Sequence, residues 1–208
     1  MLFPSSKLLV SCALLATASF SALGYKWTVP NASDWRVEAD HGAPVLHLVV
    51  SRGPLPGPRR PIQFALAGTP EFQRVSIDVD VRPLERSLIL VFAYRDSAHF
   101  DYAHLSIDRG SAQPNHNGIF HVYGGERARI SSEGGPAAFT ASKRWYSVRL
   151  THDGQSGRVQ VTVDGQLIPA LQAVDLSLRT GKVGLGSFDE TGDFKNLRID
   201  GTPATSAN

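Results

Sequence analysis

Alternate positions of Tyr102–Asp108 carry a phenol, an imidazole, a hydroxyl and a carboxylate: Tyr102, His104, Ser106 and Asp108. In a β-strand such positions share one face, and that set of groups suits a polyhydroxylated ligand. Aromatic rings stack on the C–H faces of a pyranose, while the polar groups exchange hydrogen bonds with its hydroxyls. On Ile119–Tyr123, His121 and Tyr123 share a face, which extends the same surface if the two strands pair that way. Arg127 and Arg129 share a face shortly after, and Ser147, Arg149 and Thr151 share another. The expected ligand-binding set is therefore Tyr102, His104, His121, Tyr123, Arg129 and Arg149. A structural reading stands beside it, because a histidine such as His104 also serves as an internal hydrogen-bonding group and a tyrosine such as Tyr102 as cover for a sheet edge.

Other chemistries have less to stand on. Ser76, Asp78 and Asp80 alternate along Val75–Val81, which sets the two carboxylates about 7 Å apart, within the range used for glycoside hydrolysis. The plain alternative is a solvated strand face. His116-Asn117-Gly118 reads as a loop and turn, since Asn and Gly tolerate positive φ. Asp96, Asp101, Asp189, Glu190 and Asp193 supply oxygen at loops and strand ends, but their spacing matches no defined calcium loop. The chain has no nucleophile elbow, no phosphate loop and no His-Glu-x-x-His motif. Its seven histidines show no short zinc-ligand spacing.

The elements that must position these groups are strands. From Trp27 onward apolar residues recur at every second position, clearest at Val75, Ile77, Val79 and Val81. The same pattern predicts strands at about 35–39, 45–50, 62–66, 87–95, 101–108, 118–123, 127–131, 145–152, 158–164, 182–188 and 194–199. Asp153-Gly154 with Ser156-Gly157, and then Asp164-Gly165, supply turns between them. Only Leu171–Leu178 could form a helical turn, and its surroundings favour a loop or short strand. Short strands at this spacing predict an all-β, two-sheet antiparallel sandwich. Loops are expected at Ser51–Pro61, Arg109–Asn117 and Ser131–Ala138, and a disordered tail at 201–208.

Residues 1–24 read as a signal peptide: one charge at Lys7, an apolar run from Leu8 to Phe20, then small residues through Gly24. The mature domain is expected to span 25–200 and the protein to be exported, periplasmic or secreted. The apolar run is short for a membrane span and holds several Ser and Thr, so no stable membrane insertion is expected once the leader is cut. A lipoprotein box at Leu9–Cys12 is the lesser reading. Cleavage near Tyr25 would also remove Cys12, the only cysteine, leaving no disulfide. Roughly 180 residues suffice for one packed core. With 21 basic and 19 acidic residues interspersed, no basic patch calls for nucleic acid.

Phe100–Asp108, His116–Phe120, Gly125–Ile130, Trp145–Leu150, Gly181–Phe188 and Phe194–Ile199 together give the mature chain a family look. It resembles the concanavalin A-like lectin/glucanase superfamily, in particular exported bacterial domains grouped with the 3-keto-disaccharide hydrolase (family 16 glycoside hydrolase-like) and laminin G-like modules. The resemblance implies a jelly roll of two stacked antiparallel sheets, one concave, with carbohydrate as the partner. It also implies structural calcium at the rim, as in related modules. The glucanase Glu, Asp and Glu at successive same-face positions are lacking, since Ser76 stands where the nucleophile would be. If the hydrolase likeness extends to activity, a keto group acidifies the neighbouring C–H and a single base suffices, with His104 as candidate base and Arg127 or Arg129 stabilising charge. A recognition domain, such a hydrolase, and a structural or adhesive envelope domain are the three functions left open.

Overall fold

Alternation at Phe72–Pro83 gives the central strand of one sheet: Val75, Ile77, Val79 and Val81 are buried, while Ser76, Asp78 and Asp80 between them stay partly exposed. The structure is a computed structural model describing residues 18–53 and 59–205. Its strands are β1 (Ala18–Ala22), β2 (Tyr25–Val29), β3 (Trp35–Asp40), β4 (Ala43–Leu48), β5 (Gln63–Ala67), β6 (Phe72–Pro83), β7 (Ser87–Asp96) and β8 (His99–Ser106). They continue as β9 (Gly118–Tyr123), β10 (Glu126–Arg129), β11 (Tyr146–Asp153), β12 (Arg158–Val163), β13 (Gln166–Val174), β14 (Lys182–Ser187) and β15 (Gly192–Pro203). Among the described residues no helix is long and apolar enough to cross a membrane.

All pairings are antiparallel. One sheet runs β1-β2-β5-β14-β7-β8-β9-β10 and the other β13-β12-β11-β6-β15-β4-β3. Their facing sides hold the main core, where Trp27, Leu90, Phe92, Leu105 and Ile119 from the first sheet meet Leu46, Ile77, Leu150, Val161 and Phe194 from the second. Each such side chain contributes about 1.5–3 kcal/mol by leaving water. The first sheet is also apolar on its outer face, where Phe64, Ile89, Val91, Phe100, Tyr102, Phe120, Val122 and Phe188 form a second cluster. A sheet with both faces covered can hold polar groups away from water on either side, which sets the scene for the site.

The fold departs from expectation at three places. Gln166–Val174 is a full edge strand, β13, because its apolar residues pack on β12 rather than following a helical period. The expected tail instead continues β15 to Pro203, with Gly201 opposite Val75 and Thr202 opposite Arg74; only 206–208 lie outside the described residues. At the other end, Ala18–Ala22 pairs along its length with β2 through a turn at Leu23 and Gly24, both at positive φ. The Trp27 indole donates to the Ala22 carbonyl at 2.9 Å, and Phe20 packs on Trp35 with ring centroids 6.4 Å apart. Cleavage next to Tyr25 would cut at this turn and detach β1. The apolar run through residue 17 and Cys12 lie outside the described residues.

Candidate functional site on the outer face of the first sheet

β8 alternates as its sequence predicts, with Ala103 and Leu105 in the main core and Phe100, Tyr102, His104 and Ser106 on the outer face. The polar side is as buried as the apolar one. Tyr102 is 0% exposed and stacks on Phe120 at 5.2 Å and 12° between planes, so its ring is already covered. Burial pushes its phenol up to about 12. Its hydroxyl meets the Arg127 guanidinium at 3.4 Å.

His104 is the pivot. Its Nδ1 lies 3.0 Å from the Asn115 carbonyl, an acceptor only, so this nitrogen carries the hydrogen and Nε2 is left with its lone pair. Nε2 is buried and has no hydrogen-bond partner among the described residues. Burial, reinforced by the nearby His116, Arg127 and Arg129, pushes the ring down to about 3, so it stays neutral. It lines a polar pocket of about 100 Å³ with Arg59, Gln113, Asn115, His116, Arg127, Phe188 and Asp189. Both guanidiniums lie over the Phe188 ring, Arg59 at 5.2 Å and Arg127 at 4.8 Å. Arg59 also bonds Asp189 at 2.9 Å, whereas Arg127 has no carboxylate partner among the described residues.

The loop between β8 and β9 closes this pocket by means of its own polar groups. Asn117, at φ 47, accepts from the Ala138 amide and donates to the Pro136 carbonyl, tying two loops together. Arg129 reaches back from β10 and donates to the carbonyls of Pro114, His116, Asn117 and Ser132 and to the Ser131 hydroxyl. A Cβ on Gly118 would stand 2.2 Å from this guanidinium, so the clamp needs glycine there. His116, placed by the clamp, sets its Nδ1 2.9 Å from Asp108, which Arg86 holds from the other side. Burial acts to raise the Asp108 carboxyl, but Arg86 and His116 outweigh it and hold it low.

Of the six expected binding residues, the structure brings Tyr102, His104 and Arg129 to one face. Only His104 lines the pocket; Tyr102 supports it from beneath and Arg129 spends its donors on loops. His121 and Tyr123 do not extend this surface: β9 pairs with Asp101 opposite His121 and Phe120 opposite Tyr102, so His121 takes the inward face. Its ring bonds Asp101 at 2.6 Å, and Tyr123 stacks on it at the rim. Arg149 belongs to the other sheet, where it pairs with Asp78 on the outer surface. Asp80 accepts from Asn196, so the Asp78/Asp80 face is a ladder of surface contacts and not a carboxylate pair around a cleft. The expected rim oxygens also separate. Asp193 serves His47 and Arg82, Glu190 serves Arg86 and Ser87, and Asp96 caps the Ala98 amide.

The sequence reading missed Arg59, Gln113 and Phe188, took His116 for part of a turn and Asp189 for a rim oxygen; these five come from three separate loops or strand ends. Arg127, expected only as a charge stabiliser, is a wall of the pocket. A wider hollow of about 470 Å³ lies on the second sheet between Arg74, Asp153, Arg158 and Asp200. There Arg74 already faces Asp153 at 3.4 Å, and the one ring lining it is the buried His152.

Comparison by sequence finds no matching family and no matching curated protein. Comparison of structures is decisive for the architecture. The carbohydrate binding module CBM66 from Bacillus subtilis superposes with a TM-score of 0.59 at 15% identity, covering 84% of this chain and 94% of the module. A glycosyl hydrolase-like protein from Parabacteroides distasonis gives 0.54 at 14% identity, with 82% and 91% covered. The fold is that of these proteins, a two-sheet antiparallel jelly-roll sandwich. Identities this low carry the jelly roll and no residue roles, so the pocket has to be judged on its own chemistry.

Proposed function

We propose that the chain is an exported carbohydrate-recognition domain whose sugar sits in the outer-face pocket around His104. The observation that carries this reading is the bare, buried Nε2 of a neutral His104 in a pocket walled by Arg59, Arg127, Gln113 and Asp189. An imidazole fixed as an acceptor takes a hydroxyl hydrogen, arginine and glutamine donate to hydroxyl oxygens, and Asp189 accepts. The pocket's size suits one or two hydroxylated carbons rather than a whole ring, so the remainder of the sugar would lie across its mouth. Carbohydrate-binding among jelly-roll neighbours agrees with this reading. Export rests on the leader-like N-terminus alone.

A thermal-shift and calorimetric screen of mono- and disaccharides, neutral and acidic, tests it. One sugar class should bind, and His104→Ala and Arg127→Ala should each weaken it roughly ten-fold or more, the equivalent of one good buried hydrogen bond. If no sugar binds, or both variants bind like the wild type, the pocket is not the site.

A second reading has its own observation, the Asp108–His116 pair on the pocket wall. Asp108 holds His116 by Nδ1, which leaves Nε2 to act as a base. In a hydrolase acting on 3-keto-glycosides, His116 is then the candidate base in place of His104, whose depressed basicity suits hydrogen-bond acceptance more than proton abstraction at neutral pH. Release of sugar from a 3-keto-glucoside, abolished by His116→Ala, would favour this reading. Binding without turnover at any pH favours recognition alone.

A further inference from the structure

On the inward side of the same strands, Asp101 and His121 stand opposite one another on β8 and β9, at the end of the sandwich. Asp175, one residue beyond β13 of the other sheet, completes a triangle whose potential ligand atoms all lie within 4.8 Å of one another. His121 Nδ1 is 2.6 Å from Asp101 Oδ1 and 3.1 Å from Asp175 Oδ2. That nitrogen carries at most one hydrogen, which the geometry gives to Asp101. Asp101 Oδ2 and Asp175 Oδ2 are therefore buried with no hydrogen-bond donor among the described residues, and Asp101 as a whole is 1% exposed. A carboxylate so deeply buried with a bare oxygen is costly unless something positive answers it.

We infer that Asp101, His121 and Asp175 bind a divalent transition-metal ion of the zinc class, joining the two sheets at this end of the jelly roll. In a tetrahedral zinc sphere ligand atoms about 2.1 Å from the ion lie about 3.4 Å from each other, so the 2.6 and 3.1 Å separations need to widen by less than about 1 Å to admit one. One imidazole with two carboxylates suits zinc or manganese, while calcium and magnesium take oxygen ligands almost throughout. The outer partners are present too. Ser177 holds Asp175 Oδ1 through its amide at 3.0 Å and its hydroxyl at 2.7 Å, which directs Oδ2 towards the histidine. His121 and Asp175 keep 14% of their side-chain surface, so an ion can enter from the rim beside the exposed Tyr123. The triad lies on the opposite face of the sheet from His104, and the ion would act as a clasp between layers whatever the outer pocket binds.

Tag-free protein treated with a chelator and dialysed provides the test, by thermal shift with zinc, manganese, calcium or magnesium chloride and by elemental analysis after desalting. Zinc or manganese in large excess over its dissociation constant should bind one ion per chain and raise Tm by about 5–10 °C, with calcium and magnesium giving little. Asp175→Asn and His121→Gln, both at the partly exposed edge, should fold and lose that shift. Asp189→Asn, at the outer pocket, should keep it. Sub-stoichiometric metal, or an equal shift in wild type and Asp175→Asn, would overturn the inference. So would a shift for calcium that exceeds that for zinc.

Discussion

His104 Nδ1 donates to the carbonyl of Asn115, eleven residues further along the chain, at 3.0 Å. This one contact fixes the tautomer, and with it the polarity of the pocket: the unpaired Nε2 is an acceptor and the surrounding guanidiniums are donors. It also couples the pocket to folding, because Asn115 belongs to the loop that Arg129 clamps. A ligand would then meet a preformed set of groups rather than having to order a loop.

The neutral ring makes stability depend on pH in a definite direction. Above about pH 6.5 His104 is uncharged in both folded and unfolded chains, and its contribution is fully present. As pH falls towards about 3, the unfolded chain takes up the proton and the folded one does not, so stability is lost across that window. The loss should reach a few kcal/mol by about pH 4. Urea unfolding at several pH values should show His104→Gln with a flatter profile; the slope that remains belongs in part to His152, whose basicity burial also lowers. Parallel profiles for variant and wild type would sink the assignment.

Arg129 illustrates a residue read from sequence as a sugar contact that serves the loops instead. It is half-buried, and burial lowers its basicity despite pull from Glu133. Arg129→Ala would strand several loop carbonyls, at about 2–4 kcal/mol of stability. Arg129→Lys should rescue little, since an ammonium lacks the planar fork that reaches five acceptors. Gly118→Ala should imitate both by displacing the guanidinium. Chemical denaturation distinguishes this from a binding role, which would weaken sugar affinity and leave stability intact.

Arg149 supplies the contrast. Its pair with Asp78 is exposed on the far sheet, with 61% of the arginine side chain in solvent. Such pairs contribute about 0–1 kcal/mol. Arg149→Ala should therefore leave both Tm and sugar affinity near wild type, and a large loss of affinity would mean that the ligand binds on the other sheet.

These outcomes mark what could be read in the sequence and what could not. Period-two alternation in Val75–Val81 and Tyr102–Ile107 is a local property, so the strands, their faces and the two-sheet class follow from it. Whether His121 joins Tyr102 or Asp101 depends on the register between β8 and β9, and one residue of shift exchanges the faces. The pocket is harder still. Arg59, His116 and Phe188 are far apart in sequence and carry no common spacing, so their meeting depends on the loops. Alternation also marks polar and apolar faces without revealing that the first sheet is covered on both, which is why Tyr102 looks available in sequence and is buried in the fold.

The N-terminal strand gives the prediction with the most direct bearing on export. A chain starting at Tyr25 lacks the five-residue ladder of β1, the Ala22 carbonyl that accepts from Trp27, and the cover that Phe20 gives Trp35. Trp27 is wholly buried, so its indole N–H would lose a partner in a place water cannot easily replace. The edge of the sheet would pass to β2, with its unpaired backbone groups open to other chains. Together these changes should cost about 2–4 kcal/mol relative to a chain starting at Ala18, and favour association at high concentration. Tm and light scattering of the two chains check it. N-terminal sequencing of protein recovered from outside the cytoplasm should then find residues upstream of Phe20 retained, because processing beside Tyr25 would release a less stable domain. Equal stability of the two chains would instead make β1 dispensable and restore cleavage at the Leu23–Gly24 turn as the natural end of the leader.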